Sequence, residues 1–243
     1  MYSILKKIIR NIFPNTLFFL IEPSLRSFYS YFQKGKQHVC IICNFKMKKW
    51  VQLPNQDNLC PKCGSLSRDR RLYSILNQEY LLNQNKLLDF SPSRALFRKL
   101  KQKKQINYTA SDLSGDFIAD KQFDITSIHQ VNDFYDVIIC FHVLEHVIDD
   151  YKAMEELYRV LKINGTVFIQ TPFKEGEIYE DNTITSARER LEHFGQEDHV
   201  RIYSIKGLQN RLEKTGFTVE IKTYSKEDYF GFSENETILL AKK

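Results

Sequence analysis

The sequence predicts an α/β protein: a doubly wound, mostly parallel sheet preceded by helices and a small cysteine-bearing module. Three observations carry this. Short apolar runs alternate with stretches of helical period from Lys86 to the C-terminus, four of the five cysteines fall between Cys40 and Cys63, and the first 36 residues are basic and amphipathic.

The chain has 243 residues, 42% hydrophobic and 27% charged. That is too apolar for a disordered tail and too charged for a membrane bundle. Residues 1–36 carry six Lys/Arg against one Glu, and residues 37–71 carry seven against two Asp. The remainder holds 22 basic and 27 acidic residues, so a basic front precedes an acidic body.

The first expected element is a helix with Ile4, Leu5, Ile8, Ile9, Ile12 and Phe13 on one face and Lys6, Lys7, Arg10 and Asn11 on the other; Pro14 ends it. Thr16 to Phe32 follows, rich in Phe and Tyr. A basic amphipathic pair of this kind either packs on its own domain or a second subunit, or makes peripheral contact with an anionic membrane face through residues 1–32. The longest apolar run there, Leu17 to Ile21, is too short for a membrane span, and Pro14, Glu22 and Pro23 interrupt any secretory leader. A cytoplasmic protein is expected, with the inner membrane face as its one candidate lipid surface.

The cysteines read C-x2-C (Cys40, Cys43), sixteen residues, then C-x2-C (Cys60, Cys63). This is the two-knuckle spacing of a structural four-thiolate zinc site, with Gly64 allowing a tight turn around the sulfurs. The alternatives are two disulfides, which suit a reducing compartment poorly, or unligated thiols. The expected divisions are N-terminal helices over 1–36, a zinc-ribbon-like module over 37–71 and the α/β domain over 72–243.

Within the α/β part, Lys86 to Phe90 is the first strand. Ser91-Pro92 starts a helix that runs from Arg94 to Lys104 on Ala95, Leu96 and Leu100. Ile106 to Ala110 is a second strand and Asp136 to Cys140 a further buried one. Val143 to Leu161 fits a helix, Asn164-Gly165 a turn, and Thr166 to Gln170 a strand stopped by Pro172. Ser204 to Thr215 is helical, Gly216 caps it, and Phe217 to Tyr224 and Thr237 to Ala241 close the fold. Ligands of such sheets bind beyond the carboxyl ends of the strands, which points to Asp89-Phe90-Ser91, Asp112 and Cys140 to His146.

Asp112 ends the second strand 23 residues after Asp89, the separation at which an acid meets the ribose hydroxyls of an adenosine cofactor. No G-x-G-x-x-G follows the first strand; the loop reads Phe90-Ser91-Pro92-Ser93, which argues against a pyrophosphate and for a ligand without phosphates.

From Lys86 onward the chain resembles the class I S-adenosylmethionine-dependent methyltransferases, whose fold is a Rossmann-like seven-stranded sheet. Asp89 to Ser93 lies where that family places its first cofactor loop, and Asp112 and Leu113 where it places the ribose acid. Phe123-Asp124-Ile125-Thr126 looks like the acidic motif beside adenine. Tyr135-Asp-Val-Ile-Ile-Cys-Phe-His-Val-Leu-Glu-His146 looks like the strand and loop of the "hvLEH", type 11-like branch. Arg159 to Gly165 and Leu212 to Phe217 match as well. The resemblance implies S-adenosylmethionine as cofactor, with Asp89, Phe90, Ser91, Pro92, Asp112, Leu113, Asp124, Ile125, Cys140 and His142 in its site. The whole arrangement, with the cysteine array and Gly64-Ser-Leu-Ser-Arg-Asp-Arg-Arg71, is similar to bacterial methyltransferases of surface-polysaccharide and glycan modification. In these, Phe194-Gly-Gln-Glu-Asp-His-Val-Arg-Ile-Tyr203 looks like an element facing the transferable methyl group.

Methyl transfer to a hydroxyl is assisted by a positioned base. His199 is the first candidate, with Asp198 to orient it and Arg201 to hold an anionic group; His142 is the second. His193, Asp198, Arg201 and Tyr203 are the expected substrate contacts, although charged loop residues are often merely solvated. The expected acceptor is a sugar, a polysaccharide precursor or a small anionic metabolite. The alternatives are ribosomal RNA, read by Lys46, Lys48, Lys49, Trp50, Arg68, Arg70 and Arg71, and a scaffold that has lost the cofactor.

Overall fold

The structure, a computed structural model, describes residues 15–82 and 84–243. The helix expected over Ile4 to Phe13 lies outside the described residues. Helix α1 (Asn15–Tyr31) leads into four short strands, β1 (Lys34–Val39), β2 (Lys46–Met47), β3 (Val51–Gln52) and β4 (Asn58–Leu59), which form two small antiparallel pairs bearing the cysteines. Helix α2 (Ser67–Ile75), prolonged by a wider turn over Leu76–Tyr80, carries the chain to the main sheet.

That sheet is built from β5 (Lys86–Phe90), β6 (Asn107–Ser111), β7 (Tyr135–Phe141), β8 (Leu161–Gln170), β11 (Thr218–Tyr224) and β12 (Glu236–Lys242). Its order is β11-β12-β8-β7-β5-β6; β6, β5, β7 and β8 run parallel, β12 pairs antiparallel with β8, and β11 pairs antiparallel with β12. Helices α3 (Arg94–Lys101), α4 (Asp150–Val160), α5 (Ala187–Phe194) and α6 (Ile205–Lys214) complete the domain, with the two-residue strands β9 (Tyr179–Glu180) and β10 (Arg201–Ile202) paired between them.

Period-two alternation along the strands feeds two cores. Leu88, Phe90, Ile138, Cys140, Val167, Ile169, Leu239 and Ala241 face α4 and α6, where Ala153, Met154, Leu157, Leu208 and Leu212 meet them. Leu87, Val137, Ile139, Phe168, Ile238 and Leu240 face the other way, onto Leu72 and Leu76, Leu96 and Leu100, and the cysteine segment's Ile42, Phe45, Met47 and Trp50. Each such buried side chain stabilises the fold by ~1.5–3 kcal/mol. The cysteine segment is therefore a covering layer of the sheet.

Three expectations need correction. The main sheet has six strands among the described residues, where the resemblance implies seven. Residues 112–134 instead make turns held at several points: Asp112 N donates to Lys121 O, Glu156 Oε2 accepts from Ile128 N at 2.8 Å, and Arg159 donates to Ile128 O and Gln130 O. The helix expected over Val143 to Leu161 is a 3-10 turn at Leu144–His146 followed by α4, because the Asp149 side chain caps a new helix at Lys152 N. Finally, Trp50, Arg70 and Arg71 do not form an exposed polyanion face. Arg70 is wholly buried and donates to the carbonyls of Ser65, Asn58, Phe230 and Gly231, and Arg71 pairs with Glu236 at 2.9 Å.

Candidate active site

At the carboxyl end of β5 the chain turns sharply at Ser91, whose φ of +47° is the left-handed conformation that glycine would ordinarily supply. Ser91 N donates to Ser111 O and Ser91 Oγ to Asp112 Oδ1, both at 2.8 Å, tying the tips of β5 and β6 together. Ser93 then caps α3. A cleft opens over this turn, lined by Asp89, Phe90, Ser91, Pro92 and Ser93, by Phe117, by Phe141 and His142 of the next strand tip, and by Arg68 and Asp69 of α2.

Asp89 is buried and accepts from the Tyr108 hydroxyl at 2.9 Å. Burial pushes its carboxyl up to about 8; the Tyr108 bond opposes this rise and the charge of Asp69 adds to it. Asp112 also accepts at Oδ2 from Ser114 Oγ and Gly115 N, while Oδ1 keeps a lone pair beyond its bond to Ser91.

The structure thus gathers Asp89, Phe90, Ser91, Pro92 and His142 at one cleft, with Asp112 hydrogen-bonded to its rim. The other expected cofactor residues are not among those lining this cleft. The Cys140 side chain points into the α4 core, where burial pushes the thiol up, and Ile125 is packed in the same core. Leu113 is exposed, and the Asp124 carboxylate accepts from Thr126 N and Oγ1 in an exposed turn. Arg68 and Asp69 were not singled out as cleft residues, because in sequence they belong to a run that reads as basic surface.

Beyond β7, His142 also adopts a left-handed backbone, φ +55°, and its N–H donates to Gln170 O. The 3-10 turn then directs Glu145 inward. Its carboxylate is 1% exposed, neither oxygen accepts a hydrogen bond, and His142 Nδ1 stands 3.2 Å from Oε1. The following His146 places Nδ1 3.2 Å from Asp198 Oδ2 and meets His199 edge to face, ring centroids 4.6 Å apart. His199 is 3% exposed; its Nδ1 lies 3.3 Å from Phe194 O and its Nε2 has no hydrogen-bond partner. Burial, with the neighbouring His146, holds this imidazole below its ordinary value. Glu145 is a residue that sequence reasoning missed; its position beside two histidines in the Leu-Glu-His triplet was the available signal.

The expected substrate contacts divide. Asp198 orients His146 rather than His199. Arg201 is buried, donating to the carbonyls of Val147 and Ile148 and to Glu180 Oε2, and Tyr203 is buried with its hydroxyl on Asp150. Both hold the loop after β7 against β10, so neither is free to grip a substrate. His193 lies on α5 with Nδ1 2.6 Å from the Tyr179 hydroxyl.

In the cysteine segment the four sulfurs converge. Cys40 Sγ lies 3.6 Å from Cys63 Sγ, and Cys43 Sγ 3.7 Å from Cys60 Sγ. These separations exclude disulfides and match the ~3.8 Å edge of a tetrahedron with 2.3 Å zinc–sulfur bonds. The residues present therefore fit a four-thiolate zinc ion.

A family model described as a methyltransferase domain matches residues 65–221. No protein of curated function matches the chain by sequence. Among solved structures, an S-adenosylmethionine-dependent methyltransferase from Archaeoglobus fulgidus is similar with a TM-score of 0.53 and 17% identity, over 72% of this chain and 93% of that one. A Haemonchus contortus phosphoethanolamine N-methyltransferase, in complex with S-adenosylmethionine, is similar with a TM-score of 0.52 and 14% identity, over 72% of this chain and 52% of that one. At these identities the likeness is one of fold.

Proposed function

The chain belongs to the methyltransferase-domain family, and we propose that it uses S-adenosylmethionine to methylate a hydroxyl group of a sugar, a polysaccharide precursor or a small anionic metabolite. Asp89, the Ser91 turn and Asp112 would hold the cofactor, with Asp112 on the ribose. When bound, S-adenosylmethionine supplies a methyl carbon made electrophilic by its sulfonium. The chain's own task is to orient the acceptor and take its proton.

The observation that carries the hydroxyl reading is the His142–Glu145 pair. His142 lines the cleft, and the buried Glu145 carboxylate, 3.2 Å from its Nδ1, would orient the ring and leave Nε2 to take the proton of an acceptor O–H. His199, the other expected base, is too buried to reach an acceptor without moving or an intervening group. Against an RNA substrate, Trp50, Arg70 and Arg71 are consumed by the core. The cysteine centre would take one structural zinc ion, and the exposed Leu20, Leu25, Phe28 and Phe32 of α1 and its end support peripheral membrane contact.

The test is release of S-adenosylhomocysteine over a panel of nucleotide sugars, sugar phosphates and hydroxy acids, with structured RNA alongside. Turnover with a hydroxyl acceptor, lost in His142→Ala, is expected. Turnover with RNA bases alone, or no calorimetric binding of S-adenosylmethionine, would overturn the reading.

A further inference from the structure

We propose that Glu145, His146 and His199 form a site for one divalent transition-metal ion, separate from the cysteine centre and directly behind His142. One donor atom from each residue lies within 4.8 Å of the other two. Two of the three are buried and carry polar atoms without a hydrogen-bond partner: Glu145 Oε2, whose companion Oε1 faces His142 Nδ1 at 3.2 Å, and Nε2 of His199. A buried carboxylate oxygen without a hydrogen bond is costly, and a coordinated cation would satisfy it and the imidazole nitrogen together.

The surroundings are those of a ligand set. A metal-binding imidazole usually directs its second nitrogen to a carboxylate or a backbone carbonyl. Here His146 Nδ1 faces Asp198 Oδ2 and His199 Nδ1 faces Phe194 O, which leaves Nε2 of each for an ion. Val200 N donates to Glu145 O at 2.9 Å, fixing the His199 segment to the turn that carries the other two residues. Two imidazoles and one carboxylate suit zinc, manganese, iron(II) or cobalt better than magnesium or calcium, and three protein ligands leave positions open for an oxygen from a bound molecule. The role rests on the hydroxyl reading above: the open position would hold and polarise the acceptor's hydroxyl oxygen, with His142 beside it to receive the proton. The existence of the site does not depend on that reading.

The full chain, saturated with zinc at its cysteines, is titrated with Mn2+, and free Mn2+ is followed by electron paramagnetic resonance. One further ion per chain is expected, bound at least about tenfold more weakly in Glu145→Gln and His199→Asn. Asp198→Asn, at an exposed carboxylate 3.2 Å from His146 Nδ1, is expected to weaken it ~10–100-fold, which keeps the test open if a core variant fails to fold. Absence of Mn2+ binding to the wild type, or binding that Glu145→Gln and Asp198→Asn leave unchanged, overturns the site. Calorimetry with S-adenosylmethionine separates the two claims: a bound ion in a chain that never binds the cofactor supports the site and removes the methyltransfer role, whereas turnover without Mn2+ binding removes the site alone.

Discussion

The Arg70 guanidinium lies 4.1 Å from the centre of the Trp50 ring, and through this contact the cysteine segment and α2 share one interior. Among the described residues no carboxylate pairs with Arg70; its charge is spread over four backbone carbonyls, two in or beside the cysteine segment and two in the β11–β12 connection. Arg70→Met leaves those carbonyls unsatisfied, and at ~1–3 kcal/mol for each buried orphan the variant is expected to lose several kcal/mol in urea unfolding. A loss below about 1 kcal/mol would contradict the reading of Arg70 as a structural hub.

Because Cys40 and Cys60 belong to the same buried cluster as Leu87 and Ile139, metal binding at the cysteines should be linked to stability of the whole sheet. Metal analysis is expected to find about one zinc ion per chain, and Cys60→Ser to lose it together with a marked fall in Tm. A metal-free wild type that melts at an unchanged temperature would reject the zinc site.

Asp89 gives a pH signature. Its unfolded carboxyl titrates near 3.8 and its folded one at about 8, so between these values the native state keeps a proton that the unfolded chain has lost. Asp89 therefore makes stability fall as pH rises through that window and then level off. Asp89→Asn should remove this contribution, its stability relative to wild type growing from pH 5 to pH 8. A cationic ligand favours the ionised carboxylate, so S-adenosylmethionine affinity should rise with pH towards 8 in wild type and stay flat in the variant. Parallel pH profiles would refute both expectations.

Asp112 is braced at Oδ1 by Ser91 and at Oδ2 by Ser114 and Gly115. Asp112→Ala is expected to weaken S-adenosylmethionine binding at least about tenfold in calorimetry, the scale of losing a charge-assisted hydrogen bond of ~1.5–3 kcal/mol. Unchanged affinity would remove Asp112 from the cofactor site.

Much of the sheet was legible because its signals are local. Lys86 to Phe90 is bounded by a polar turn and a Ser-Pro start, and the observed strand has those limits. Gly216, at φ +106°, follows α6 as expected of a helix-ending glycine. The break at Val147 and Ile148 was less visible: apolar spacing runs through it, and only the Asp149 cap marks the restart. The stretch before Tyr135 reads as irregular in sequence and is irregular in the structure, but what holds its turns, hydrogen bonds to Glu156 and Arg159, comes from residues distant in the chain.

By itself the sequence determined the alternation of strands and helices, the four-thiolate spacing and the acids at two strand tips, all of which depend on neighbours within a few turns of chain. Tertiary structure alone decided that Arg70, Arg201 and Tyr203 are interior supports rather than ligand-binding groups, because a charge is free or spent according to which distant carbonyls surround it. It likewise brought His199 to Glu145 across more than fifty residues, a meeting that no local pattern encodes.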